Sequence, residues 1–139
     1  MATIALTEFS RIIAGILLLT IVTIEFGGTF ILRVVRGSVS MTEFQKSFAR
    51  AGHGHAGMFV TLSLVVLLFA DSAGLTGFWG VVGRLALPIG AILLPAGFFF
   101  SSMGRGEVTR PNKLVALIWL GAAAAAIGVL TVGIGLLVA

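Results

Sequence analysis

An acidic residue and two histidines lie inside apolar stretches of the sequence and could carry chemistry there. Glu25 lies within the first long apolar stretch, and His53 and His55 lie at the start of the second. A carboxylate at bilayer depth is costly unless it is paired, protonated or hydrated. Imidazole takes up protons near neutral pH, binds transition metals and ligates haem iron. These three residues are therefore the candidate polar intramembrane site for a proton or a metal ion.

The spacing of the histidines limits what they can bind together. Residues two apart on a regular helix point about 200° apart, so one metal ion or one haem b iron could take both only if the neighbouring glycines let the backbone deform. A further metal ligand would come from Glu25, Glu43, a methionine or another subunit. We also expect Glu25 and His55 to share one polar cluster, although a rise of 1.5 Å per residue places them roughly 9 Å apart in depth. The alternative is that the histidines are interfacial and Glu25 only joins two helices.

Composition defines the elements that must position these residues. The 139 residues are 58% hydrophobic and 10% charged, with a mean hydropathy of +1.16, which indicates an integral membrane protein. A helix of about 20 apolar residues spans a bilayer, and four such stretches occur, at 12–35, 51–70, 81–102 and 113–138. Their continuous apolarity argues against a β-barrel. We predict an all-α polytopic membrane protein, in which residues 1–139 form a single domain of four transmembrane helices.

The connection 36–50 carries its own helix signals. Two overlapping capping boxes predict a helix start, Ser40 with Glu43 or Thr42 with Gln45. Beyond them, two phenylalanines four residues apart share one face and two basic residues lie on the opposite face. This pattern predicts a short amphipathic helix in the membrane interface, before the second transmembrane helix.

Basic residues are distributed unevenly between the two ends of the predicted bundle. Seven of the nine lie in or beside the connections 36–50 and 103–112, and Arg11 and Arg84 lie at the other end. The positive-inside rule then predicts a multi-pass protein of the cell (inner) membrane with both connections cytoplasmic and both termini extracytoplasmic. Nucleic-acid binding is not expected, because no recognition module surrounds these residues. We instead expect contacts with lipid headgroups at Arg36, Lys46, Arg50, Arg105, Arg110 and Lys113.

The orientation can be tested with a reporter that is active only in the cytoplasm. Fused after Ala139, it should be inactive, because the C-terminus is predicted to lie outside. The matched control is the same reporter fused within 103–112, where it should be active. Activity from the Ala139 fusion would reverse the assignment.

Glycines at a strict spacing of seven mark the third apolar stretch. Small residues at this spacing form a face along which another helix packs closely, and here they are Gly83, Gly90, Gly97 and Gly104. The fourth stretch is also rich in glycine and alanine. We expect the small-residue faces of these two helices to mediate self-association into a homo-oligomer, or docking onto a larger membrane complex.

One motif carries a resemblance to known proteins. The chain resembles small four-helix bacterial membrane proteins of unassigned activity at an R-A-G-H-x-H-A-G motif, Arg50 to Gly57, and at Pro95 to Phe100. The resemblance implies a four-helix membrane fold and brings no cofactor or substrate with it.

Three functions are compatible with these features. The first is binding or permeation of a proton or metal ion at Glu25, His53 and His55. The second is a non-catalytic accessory subunit of a larger membrane complex, and the third is a redox subunit that binds haem b through a histidine. We do not expect an enzyme, because the sequence contains no nucleophile with a base, no phosphate loop, no carboxylate pair and no cysteine.

Overall fold

The computed structural model describes residues 5–104 and 106–139, and four long helices make up most of that range. They are α1 (Glu8–Val35), α2 (Glu43–Ser72), α3 (Gly77–Ser101) and α4 (Ala116–Val138), with a 3₁₀ turn at Lys113–Val115 that leads into α4. All four are long and apolar enough to cross a membrane. The predicted all-α bundle of four transmembrane helices is therefore confirmed, and the chain is a multi-pass membrane protein.

Side-chain caps make the first two helices longer than predicted. The Thr7 hydroxyl accepts a hydrogen bond from the Ser10 amide at 3.3 Å and so starts α1. At α2, the Thr42 hydroxyl accepts a hydrogen bond from the Gln45 backbone amide at 3.2 Å. The side-chain oxygen of Gln45 accepts one from the Thr42 backbone amide at 3.1 Å. The Thr42–Gln45 capping box is thus the one that forms.

A separate interfacial helix is not confirmed. Its predicted residues are the first two turns of α2, which runs from Glu43 to Ser72 as one helix. The glycines around the histidines do not break it, because each costs only about 1 kcal/mol in a helix interior and none lies beside a proline. The predicted amphipathic face is present, since Phe44 and Phe48 stack at 4.3 Å and Phe48 meets Phe98 of α3 edge-on.

Glycines bring α3 and α4 into close contact from both sides. A β-carbon on Gly90 would lie 2.7 Å from the Gly121 carbonyl oxygen, and one on Gly128 would lie 2.7 Å from the Leu87 amide. The glycines on α3 thus receive residues of α4, and those on α4 receive residues of α3. We call the two rows together the glycine seam; its members are Gly83, Gly90, Gly97, Gly121 and Gly128.

Two expectations about the glycines change with this packing. Gly104 is not part of the seam, because α3 ends at Ser101 and Gly104 lies beside Val108 in the following loop. The seam itself is filled within the chain. The association of copies with one another stays a prediction, and it requires a different surface.

The first helix is the least covered of the four. Only Ser10, Ile13, Leu17 and Val34 of α1 are buried, whereas α3 has eleven buried residues. Ile13 and Leu17 join a core cluster with Val60 of α2 and Ala91 of α3. Most of the remaining α1 surface is exposed and apolar, so α1 lies at the edge of the bundle.

Candidate functional site

His53 lies in the groove between α1 and α2. β-Carbons built on Gly27 and Gly28 would lie 3.8 Å from its Nδ1 and 3.4 Å from its Nε2, so the imidazole fills the space that the two glycines leave. The ring is half-buried. Within the described part of the chain, neither ring nitrogen has a hydrogen-bond partner, so both remain able to accept or donate a proton.

His55 faces a different helix. Its ring stacks on Phe98 of α3 with centroids 5.2 Å apart, and its Nδ1 lies 2.7 Å from the Ala51 carbonyl oxygen. A carbonyl can only accept, so Nδ1 carries the proton in this contact. The backbone and the phenyl ring therefore fix the orientation of His55. This histidine packs α2 against α3.

Glu25 is exposed on the flank of α1. It lies about 5 Å from the midpoint of this 28-residue helix, well within a hydrocarbon core about 30 Å thick. In residues 5–104 and 106–139, no side chain forms a salt bridge or hydrogen bond with its carboxylate. Neighbouring Phe26 and Leu18 are exposed apolar residues.

The structure places the His53 ring against α1 at nearly the depth of Glu25, and it turns the His55 ring towards α3. Gly27 and Gly28 follow Glu25 by two and three residues, which is about 3–5 Å along the helix axis. The His53 ring against them is therefore within one turn of Glu25, while His55 turns away towards α3. The pairing that we expected between Glu25 and His55 is not a contact of the described chain. The expected depth difference also shrinks, because α2 starts eight residues earlier than the predicted span.

Ligands for a metal ion are not clustered in the described residues. No group of three or more His, Asp or Glu side chains there lies close enough together to hold one. The His53 and His55 rings contact different helices, so they do not converge on one haem iron either. A metal or haem b site at Glu25, His53 and His55 would need ligands from another chain.

The predicted headgroup residues mostly point outwards. Those that are exposed are Arg36, Arg50, Arg110 and Lys113. Lys46 is different, because its ammonium group lies 2.8 Å from the Glu43 carboxylate one turn earlier on α2. Arg105 lies outside the described residues. Contact of this set with lipid headgroups stays a prediction.

A buried ion pair at the opposite end of the bundle was not predicted from the sequence. Arg84 of α3 is 6% exposed, and its Nη2 lies 2.6 Å from Oδ1 of Asp71 at the end of α2. The Ser10 hydroxyl of α1 donates to the same carboxylate oxygen at 2.9 Å, and the Thr7 amide donates to Oδ2 at 2.8 Å. Three helices therefore meet at one carboxylate.

The remaining donors of Arg84 are also paired. Nη1 donates to the Leu75 carbonyl at 2.9 Å and to the Gly80 carbonyl at 2.8 Å, and Nε lies 3.0 Å from both the Ser10 hydroxyl and Asp71. Most donors of this guanidinium are thus used within the chain. We therefore assign the network to the joining of α1, α2 and α3.

A cavity of about 710 Å³ opens at the other end, between the start of α2 and the end of α3. Its polar lining includes Thr42, Gln45, Ser102 and Glu107. The Gln45 amide is buried and donates to the Ser102 carbonyl at 3.0 Å. Among the described residues, its lining contains no nucleophile paired with a base.

Comparisons of the chain with known protein families, with curated proteins and with solved structures find no match. The function is therefore argued from the residues and their geometry.

Proposed function

We propose that this protein binds and releases a proton within the membrane, at a site formed by Glu25 of α1 and His53 of α2. The observation that carries the proposal is the position of the His53 ring, against Gly27 and Gly28 and within one turn of Glu25. We further propose that the protein resides in the cell membrane with the connection between α1 and α2 on the cytoplasmic side.

The chemistry of the pair favours a single shared proton. An isolated charge is expensive inside the hydrocarbon region, whereas a carboxylic acid beside a neutral imidazole, or a carboxylate beside an imidazolium, has no net charge. Such a pair holds one proton, which can reside on either group.

The free nitrogens of His53 distinguish it from His55. His55 already commits Nδ1 to a backbone carbonyl and stacks on a phenyl ring, so it is held in one orientation. The His53 ring packs against Gly27 and Gly28 and lacks a hydrogen bond in the described chain. A histidine that exchanges a proton with a neighbour needs an available nitrogen, and His53 provides one.

Replacing Glu25 by glutamine tests the pair. The amide keeps nearly the same shape but carries no negative charge and cannot share the proton, so the NMR signals of the His53 ring should shift. The measurement is NMR of the protein labelled at histidine and reconstituted in lipid, where the two histidines give two resolvable sets of ring signals.

His55 provides the internal control for this experiment. It faces α3, so its ring signals should move much less than those of His53 in Glu25→Gln. Arg50, one turn before His53 on α2, is the nearest other charged residue in that stretch, and Arg50→Gln measures its separate contribution. Unchanged His53 ring signals in Glu25→Gln would reject the proposed site.

An accessory role in a larger complex is the second candidate, and the exposed surface of α1 favours it. Ten residues among its large hydrophobics are exposed, from Phe9 to Val35. Either lipid or a neighbouring protein helix could cover this surface. Glu25, the acidic residue within it, favours a protein helix.

A further inference from the structure

A row of exposed residues follows α1 from end to end. Their separations alternate between four and three residues, an average of 3.5, which is the repeat of two helices packed with a left-handed crossing. We call this row the Glu25 stripe; its members are Arg11, Gly15, Leu18, Val22, Glu25, Thr29, Leu32 and Arg36, all exposed. A β-carbon on Gly15 would meet no atom within 4 Å. The stripe is therefore uncovered along its whole length.

Glu25 lies at the middle of this stripe and is poorly placed for lipid contact. It lies about 10 Å from the nearer edge of a hydrocarbon core 30 Å thick. That edge is towards the C-terminal end of α1, whereas helical side chains tilt towards the N-terminus. Glu25 therefore points away from the nearer surface and cannot readily reach the headgroups. Within the described chain its carboxylate forms no hydrogen bond or ion pair, and His53 is near it in depth without contacting it. A further polar partner at the depth of Glu25 would therefore stabilise the carboxyl group.

We propose that the partner is a second copy of this chain, packed through the Glu25 stripe about a two-fold axis along the membrane normal. Copies inserted with the same topology place every residue at the same depth, so such an axis makes the two α1 helices parallel and brings each Glu25 to face the other. Two carboxyl groups at close range do not both ionise. At least one keeps its proton and donates a hydrogen bond to the other.

The other members of the stripe suit this contact. Gly15 has no side chain and lets the two backbones approach, as small residues do between transmembrane helices. Leu18, Val22 and Leu32 provide apolar contacts on either side of Glu25. The arginines Arg11 and Arg36 lie near the ends of α1, where headgroups and water separate them from their equivalents. The glycine seam is already filled by α3 and α4, so α1 offers the available face.

The neighbouring row of exposed residues on α1 has no acidic residue within the membrane. From Ile12 to Phe30 it has the same spacing one residue later, and its first ionisable group is Arg33 in the last turn of α1. The members used here are Ile12, Ile16, Leu19, Thr23, Phe26 and Phe30, all exposed. Phe26 and Leu19 are among the most exposed apolar side chains of α1. This row has no need of a protein partner, so we assign it to lipid. It provides matched controls at nearly the same depths.

Disulfide formation between copies tests the interface, since the natural chain has no cysteine. Single replacements Leu18→Cys and Thr29→Cys lie on the stripe, and Leu19→Cys and Phe30→Cys are the controls. A disulfide requires α-carbons about 4.4–6.8 Å apart, which only facing positions satisfy. After mild oxidation in native membranes, the stripe variants should give several-fold more covalent dimer than the controls. Equal cross-linking of both rows, or none in the stripe, would overturn the proposal and leave lipid on this face.

The role of Glu25 is tested in the same background. Adding Glu25→Gln to Leu18→Cys should preserve cross-linking, because the amide still forms hydrogen bonds across the interface. Adding Glu25→Leu should lower it several-fold, because that bond is lost. Undiminished cross-linking in Glu25→Leu would contradict the part assigned to the acid. None of these results depends on His53, so a dimer with an unresponsive His53 would reject the proton site and keep the interface.

Discussion

Replacing Gly90 by leucine should destabilise the protein more than any change in the exposed half of α4. The new β-carbon would lie 2.7 Å from the Gly121 carbonyl oxygen and 3.0 Å from the Ala125 amide nitrogen. Both are backbone atoms, so relief requires α3 and α4 to separate along the seam. Overpacking of a core costs about 1–3 kcal/mol even where side chains can adjust, and we expect about 3 kcal/mol or more here.

The measurement is thermal unfolding in a mild detergent, followed by circular dichroism and by loss of the monodisperse peak in size-exclusion chromatography. A loss of about 3 kcal/mol corresponds to a fall of about 10 °C in Tm for a chain of this size. Gly133→Leu is the matched control, because a β-carbon there would meet nothing within 4 Å. It should unfold within a few degrees of the natural protein. Equal behaviour of Gly90→Leu and Gly133→Leu would mean that α3 and α4 are not packed through the seam.

The class of fold follows from the sequence because it depends on the number and length of the apolar stretches and not on particular contacts. Four apolar stretches of sufficient length are enough to predict four transmembrane helices, since in lipid every backbone polar group must be satisfied within the helix. Helix ends were predicted less well. Thr7 starts α1 several residues before the apolar stretch begins, because a cap acts through hydrogen bonds and not through hydropathy. The capping box at Thr42 was predicted, but as the start of a separate helix and not of α2.

The candidate site was predicted in its residues but not in its pairing. Sequence identifies Glu25, His53 and His55 as the acidic residue and the two histidines within apolar stretches. Which histidine faces α1 depends on how α2 is rotated about its axis, and that rotation is set by tertiary contacts such as Phe98 against His55. The heptad spacing of the glycines likewise predicted a packing face. It did not indicate that α4 of the same chain would fill that face.

The Asp71–Arg84 pair was missed although the sequence contains a signal for it. From the sequence, Arg84 was considered only as a basic residue at one end of the bundle, and it was given no partner. Asp71 and Arg84 flank the short connection between α2 and α3, and residues on either side of such a connection lie close together in an antiparallel helix pair. Opposite charges in that arrangement predict an ion pair. The additional contacts with Ser10 and Thr7 could not be predicted, because they depend on where α1 docks.

Replacing Arg84 by leucine should be nearly as damaging as filling the glycine seam. Asp71 would keep its hydrogen bonds from Thr7 and Ser10 but lose the guanidinium that balances its charge. Removing one partner of a buried ion pair costs about 3–5 kcal/mol. The carbonyls of Leu75 and Gly80 would also lose their donor, which destabilises the connection to α3 further. We expect α1 to separate from α2 and α3 at this end.

The double replacement Asp71→Leu with Arg84→Leu distinguishes the ion pair from general damage to packing. Leucines in both positions leave no unbalanced charge, and exchange of a buried pair for apolar residues is often close to neutral. The double variant should therefore unfold at a higher temperature than either single variant, measured as for Gly90→Leu. The two single losses will then sum to more than the loss in the double variant, and the difference is the coupling energy of the pair. Strictly additive losses would show that Asp71 and Arg84 stabilise the bundle independently, through Thr7 and Ser10 on one side and the Leu75 and Gly80 carbonyls on the other.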